Sequence, residues 1–294
     1  MRLAYIISAY KYPQQLIRLV LRLYTDTTSF FVHIDKKTSD RVYRQAVDGL
    51  RNLPNVYFLE RHRCNWGDLG HVKATIKGIK ALFANNVHFD YVILLTGQDY
   101  PIKSNEQIER FLQENEGKLF MEYFPLPCDH WQNLGISGGL DRIEYWHFRL
   151  FNRHFSFPNK RGFPIKRKFP EGFKPFGGSS YWCFPRDCIE FIQEFIKQNR
   201  SFVNFFKYVD VPDEIFFQTI ILNSHFKESV VNDDLRYIDW KDTNSGSPAI
   251  LCKDDFEKIA RSSKLFARKF DITVDANVLD MIDQRILYGS FSVE

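Results

Sequence analysis

The chain has 294 residues, 44% of them hydrophobic, with 29 Phe and 14 Tyr, which is enough to pack a sizeable core and unlike a disordered chain. Forty basic and 36 acidic residues leave a net charge of +4, too mild to argue for nucleic acid as a partner. The five cysteines (Cys64, Cys128, Cys183, Cys188, Cys252) are odd in number and lack zinc-like spacing, which points to free thiols in a reducing compartment, and no apolar run reaches the roughly 18 residues of a membrane span.

Residues 3–8 form a short apolar run that predicts a buried first strand. Arg2 before it could suggest a signal peptide. However, Lys11, Gln14, Gln15 and Arg18 interrupt the stretch and no small-residue cleavage site follows, so the expectation is a cytosolic protein, peripheral at most to the inner face of the plasma membrane. Residues 13–23 start with Pro and space polar among apolar positions, as a helix does. A strand at 29–35 ends in Asp35, and another is expected at 55–59. Val72, Ile76, Ile79, Leu82 and Phe83 give 71–83 helical periodicity. The clearest central strand is 91–95, which runs into the turn Thr96-Gly97-Gln98-Asp99-Tyr100-Pro101. A helix at 106–112 and a strand at 118–123 follow.

This alternation predicts an α/β fold with a mainly parallel central sheet flanked by helices. Ligands of such sheets bind beyond the carboxyl ends of the strands, where residues 8–10, Asp35 and 97–99 lie. Asp35 and Asp99 could equally serve turn backbone. The second half is less regular. Residues 152–178 carry four prolines and seven cations, among them Lys160, Arg161, Lys166, Arg167, Lys168 and Lys174. Three readings stay open for this stretch: a solvated flexible loop, a loop covering an acceptor, or a basic contact with an anionic membrane surface. A strand entered through Gly177-Gly178 and a helix at 187–198 are expected next.

P-loop, dinucleotide and nucleophile-elbow motifs are absent. His62 and His71, and His147 and His154, are read as structural, with no carboxylate partner for a metal. Two clusters carry chemistry. Val211-Pro212-Asp213-Glu214 precedes an apolar helical run and reads either as a plain helix start or as a general base at a rigid mouth. Lys264-Leu265-Phe266-Ala267-Arg268-Lys269-Phe270-Asp271 sets adjacent cations between aromatics, either as a solvated pair or as a grip on an anionic leaving group. No Asp-x-Asp pair occurs to hold a divalent metal on a nucleotide sugar, so if the protein transfers sugars, Arg268 and Lys269 are the candidates to neutralise a diphosphate. Trp182 and Trp240 offer flat faces for a sugar ring.

These residues resemble glycosyltransferase family 14, the core-2/I-branching N-acetylglucosaminyltransferases and peptide O-xylosyltransferases. The resemblance spans nearly the whole chain. It rests on Phe31-Val32-His33-Ile34-Asp35-Lys36-Lys37, Asn65-Trp66-Gly67, Leu95-Thr96-Gly97-Gln98-Asp99-Tyr100-Pro101-Ile102-Lys103, Gly178-Ser179-Ser180-Tyr181-Trp182, Val211-Pro212-Asp213-Glu214, Arg236-Tyr237-Ile238-Asp239-Trp240 and the Lys269 cluster. It implies one GT-A-like domain over 1–294, with a nucleotide-binding half at 1–125 and an acceptor and catalytic half at 126–294. It implies inverting transfer of a sugar such as GlcNAc or xylose from a UDP-sugar, with no cofactor and no metal, to a hydroxyl of an oligosaccharide or lipid-linked glycan. Glu214 is its implied base. Tyr10, Asp35, Trp66, Asp99, Arg268 and Lys269 are the expected donor contacts, and Arg142, Trp182, Asp213 and Trp240 the expected acceptor contacts, with Asp213 capping or orienting the helix after it.

One departure stands out. The branching enzymes place a second phosphate-binding arginine upstream of the lysine, where residues 247–252 here contain none; Arg268, Arg261 or Lys241 are the substitutes. Two other classes compete: a catalytically inactive sugar- or nucleotide-binding protein on the same fold, and a glycoside hydrolase, which needs a second carboxylate for which Glu214 has no strong partner.

Overall fold

A computed structural model describes residues 1–129, 131, 137–150, 153–157, 166–240 and 247–287. In chain order the elements are β1 (Leu3–Ala9), α1 (Pro13–Leu23), β2 (Thr28–Ile34), α2 (Asp40–Leu50), β3 (Val56–Phe58), α3 (Gly70–Ala84), β4 (Tyr91–Thr96), β5 (Tyr100–Pro101), α4 (Asn105–Glu114), β6 (Leu119–Met121) and β7 (Phe124–Pro125). Then come α5 (Leu140–Glu144), β8 (Trp146–Leu150), β9 (Arg153–Phe157), β10 (Phe176–Gly177), β11 (Trp182–Pro185), α6 (Arg186–Gln198), α7 (Arg200–Phe205), α8 (Phe216–Leu222), β12 (Val230–Val231), β13 (Arg236–Ile238), α9 (Phe256–Arg261), β14 (Phe266–Arg268) and α10 (Asn277–Ile282).

The chain divides into two compact units that interleave in sequence: Met1–Arg61, Asn85–Gly117 and Leu235–Glu294 form one, His62–Ala84 and Lys118–Asp234 the other. In the first unit β3, β2, β1 and β4 run parallel in that spatial order. β1 and β4 are buried along most of their length, which is why they read as unbroken apolar runs. The chain moves outward from β1 to β2 and β3, then returns to the other side of β1 as β4. The gap between the carboxyl ends of β1 and β4 is therefore the switch point where open α/β sheets bind ligands. A smaller sheet joins β13, β14 and β5, with β14 parallel to β13 and antiparallel to β5. The second unit holds β12, β6 and β11, the first pair parallel and the second antiparallel. It also has a β7–β10 pair and a β8–β9 hairpin.

The α/β class, the parallel sheet and the less regular second half are as the sequence predicts. Several elements were not foreseen, among them α2 and β9. α2 buries only Ala46 and Leu50, so its apolar face is too narrow to announce a helix; the Ser39 hydroxyl caps its start by accepting from Val42 N–H. β9 lies at the head of the stretch read as loop, where alternating Arg, His, Phe, Ser and Phe pair with β8. All five cysteines are free, and no helix among the described residues is long and apolar enough to cross a membrane.

Candidate active site

Each unit carries one cluster of the expected residues. In the first unit the loops after β1, β2, β4 and β14 converge. Asp35 N–H donates to the Ala9 carbonyl at 2.9 Å, and Gly97 N–H to the Ser8 carbonyl at 2.9 Å. Asp35 is buried, and its carboxylate accepts from Lys37 N–H at 2.8 Å. Arg61 pins the same loop by donating to the carbonyls of Ile34, Asp35 and Thr38. Tyr10 stands more than half exposed (54%), its hydroxyl 3.4 Å from Gln98. Buried Gln15 of α1 ties the loops after β4 and β14 together: its amide donates to the carbonyls of Gly97 and Phe270 and accepts from Ile272 N–H.

Lys269 follows β14 directly and has no salt bridge among the described residues. Partial burial lowers its pKa, and the neighbouring charges of Arg268 and Lys11 lower it further, against Asp271. Burial would also raise the Asp271 carboxyl, but hydrogen bonds from Thr273, Tyr12 and Lys11 hold it well below the usual carboxylate range. The result is a positive lip on which a bound anion would relieve repulsion. Residues 247–252, searched for a second arginine, run beside it, with Leu251 N–H donating to the Lys269 carbonyl at 2.9 Å. Lys11 is the cation that sequence reasoning missed. Of the proposed substitutes, Arg261 is exposed and pairs with Glu257 at 3.8 Å, and Lys241 lies outside the described residues.

Asp99 and Arg268 need a different account. Asp99 is fully buried; one carboxylate oxygen accepts from Thr96 N–H and Oγ1, and the other lies 3.9 Å from Arg268 Nε. It closes the turn and aims Arg268, so it is not a surface ligand for donor or metal. Arg268 is mostly buried, and burial pushes its pKa down against Asp99 and Tyr10. Trp240, just after β13, is 53% exposed and free to stack. Arg236 of the same motif is structural, donating to the Leu94 carbonyl at 2.6 Å from a buried position.

In the second unit Glu214 ends a 3-10 turn, Pro212–Glu214, that is separate from α8. The sequence reading that put the carboxylates in the helix's own first turn is corrected by Ile215, whose φ of −133° breaks the run. Val211 enters the turn in left-handed conformation (φ 48°), a strained position for a β-branched residue, and its N–H donates to the Gly67 carbonyl at 3.0 Å. Gly67 itself has φ +72°, and a Cβ there would lie 2.1 Å from Arg149. The Glu214 carbonyl accepts from Gly178 N–H at 2.9 Å, so two of the glycine motifs in the sequence clamp one turn.

The Glu214 carboxylate pairs with Arg142 at 2.7 Å, and the guanidinium carbon lies over the buried Trp131 ring, 3.7 Å from its centre. Desolvation pushes Glu214 up to about 7; Arg142 pulls it down, and Asp213 and Asp210 push it up. The side chain still keeps about a third of its surface open (32%). Arg142, expected at the acceptor, is thus engaged by Glu214. Asp213 does not cap α8. It accepts from the Ser180 hydroxyl at 2.8 Å, and its other oxygen has no hydrogen-bond partner among the described residues. Trp182 is corrected outright: it is fully buried and stacked on Phe184 at 4.4 Å, so it presents no face to a sugar. Trp66, by contrast, is 72% exposed, with Arg149 over its ring.

The histidines read as unpaired with a carboxylate also need correction. His147 and His154 meet at 2.9 Å, and His154 lies 3.8 Å from Asp210. Three donors of metal-ligating type thus come within reach of one point. The cluster is satisfied without an ion: Arg149 already neutralises Asp210 at 2.6 Å, the rings bond to each other, and His147 Nε2 donates to the Asp141 carbonyl. The basic stretch is partly turned inward. Arg167 is buried, donating to the carbonyls of Tyr208 and Phe205, and Lys166 pairs with Glu144. Residues 160–165 of the expected membrane contact lie outside the described residues.

With this geometry in view, the comparisons identify the lineage. The sequence model of the Core-2/I-Branching enzyme family matches residues 3–260, and the chain belongs to that family. It is 28% identical to xylosyltransferase 2 of Rattus norvegicus and of Homo sapiens, over 99% of its own length in each case. It is 23% identical to xylosyltransferase oxt of Drosophila melanogaster over 96%. The chain spans about a third of the length of these relatives, 34%, 34% and 33% in turn.

Proposed function

We propose that the protein transfers a sugar from a UDP-sugar to a glycan hydroxyl by a single inverting displacement, without a metal. The acceptor oxygen loses its proton to the Glu214 carboxylate as it bonds to the anomeric carbon. The bond from that carbon to the diphosphate breaks, and UDP departs with the electron pair. Lys269 and Arg268 meet the charge that grows on it. The observation that carries the reading is the Glu214–Arg142 pair. A carboxyl titrating near 7, accessible and rigidly held, suits a base that must take a proton near neutral pH. The Lys269 lip supports the diphosphate, and Asp35 and Tyr10 the nucleoside. Because the named relatives are xylosyltransferases, UDP-xylose is the first donor to test, with UDP-GlcNAc next.

Glu214→Gln keeps the shape and removes the base. Turnover should fall by about 10²–10⁴-fold, with UDP affinity by calorimetry nearly unchanged. Lys269→Ala should weaken UDP binding and lower kcat, with partial recovery in Lys269→Arg. Wild-type activity in Glu214→Gln removes the residue from the role. UDP binding without any transfer leaves the inactive binding protein as the better reading.

A further inference from the structure

The β8–β9 hairpin has its polarity inverted. Its register pairs Trp146 with Phe157 and Phe148 with Phe155, so alternation puts these four aromatics on one face and His147, Arg149, His154 and Ser156 on the other. The polar face is the engaged one: His147 is buried, and Arg149 is bound to Asp210. The aromatic face is open, with Trp146, Phe148, Phe155 and Phe157 at 38%, 39%, 43% and 45% exposure. Tyr208 extends it, its ring 5.2 Å from Trp146 and 5.1 Å from Phe148. Arg167 fixes the platform, with its guanidinium 4.9 Å from the Trp146 ring while it donates to the Tyr208 carbonyl. Exposed apolar residues scattered singly are ordinary; five neighbouring aromatics on one built surface mark an interaction site.

We propose that this face docks on an anionic lipid bilayer. The two strands contain no acidic residue. Arg153 shares the aromatic face by alternation and is exposed, and exposed Lys207 adjoins Tyr208. Aromatic rings among cations match the interfacial zone of a bilayer, where apolar bodies enter below the headgroups and positive charges meet lipid phosphates. A glycan would need several hydrogen-bonding side chains between the rings, and the four strand aromatics offer only the Trp146 indole N–H.

The test is co-sedimentation of the full chain with phosphatidylcholine vesicles containing about one third phosphatidylglycerol, compared with pure phosphatidylcholine. The wild type should bind the anionic vesicles and bind less as salt rises. Phe155→Ser with Phe157→Ser should reduce binding at least tenfold while leaving the circular dichroism and UDP affinity unchanged. Equal binding by wild type and variant overturns the proposal, as does no vesicle binding at all. A wild-type dimer in solution that the double variant abolishes would instead assign the face to a second copy of the chain. UDP affinity is read separately, so failure here leaves the transferase reading standing.

Discussion

At the scale of single residues, the Glu214–Arg142 pair sets the pH behaviour. Proton transfer to Glu214 requires the ionised form, so kcat/KM should rise through about pH 7 as the carboxyl loses its proton. Arg142 stabilises the ionised form; without it the carboxyl pKa moves up. Arg142→Gln should therefore shift the acidic limb of the profile to higher pH, and activity at pH 8.5 should recover toward wild type more than activity at pH 6.5. An unshifted limb would mean that the pair is structural. Residues differed in how far their roles could be read in the sequence. Val211-Pro212-Asp213-Glu214 announced its carboxylates because they stand together at the mouth of an apolar helical run. Nothing local announced Arg142, whose partner is 72 positions away. Trp182 misled because a tryptophan in a Phe-rich chain reads the same whether it stacks on Phe184 or on a ligand; only its full burial separates the two.

At the scale of elements, the site is held by turns that tolerate little change. A Cβ on Gly178 would lie 1.9 Å from the Glu122 carbonyl oxygen, a backbone atom that cannot swing away. Gly178 also donates to the Glu214 carbonyl, so Gly178→Ala should disturb both the fold and the Glu214 turn. An overpacked position of this kind costs about 1–3 kcal/mol. Urea unfolding should show a loss of that order, and turnover per folded molecule should fall as well; full stability in the alanine variant would show that the strands part easily. Elements that bury one clear face were legible: α1, β1 and β4 lie within a residue of their predicted bounds. The β8–β9 hairpin was not, because its aromatics alternate on an open face while its polar side is engaged, the reverse of the pattern that sequence reasoning relies on.

At the scale of the molecule, the proposed reaction gives cationic side chains the part that a metal plays in many nucleotide-sugar enzymes. Transfer should persist in EDTA, and added Mn²⁺ or Mg²⁺ should change the rate by less than about twofold, if Lys269 and Arg268 supply the positive charge at the diphosphate as proposed. Complete loss in EDTA with recovery on adding Mn²⁺ would return the diphosphate to a metal. The α/β class was legible in the first 120 residues, whose alternation is local. The interleaving of the two units was not, because it depends on contacts between distant parts of the chain. Those contacts also fix an order of events during synthesis. β14, which leads into Lys269, pairs with β5 across more than 160 positions. A nascent chain that has reached residue 260 can already lay down β1 to β4 with Asp35 and Tyr10 at their ends. It still lacks the strand that closes on β5 and the lysine that follows. The proposed anion-binding lip is therefore completed only when the stretch from residue 266 onward leaves the ribosome, and translation products stopped before residue 266 should accumulate with β5 unpaired and no affinity for UDP.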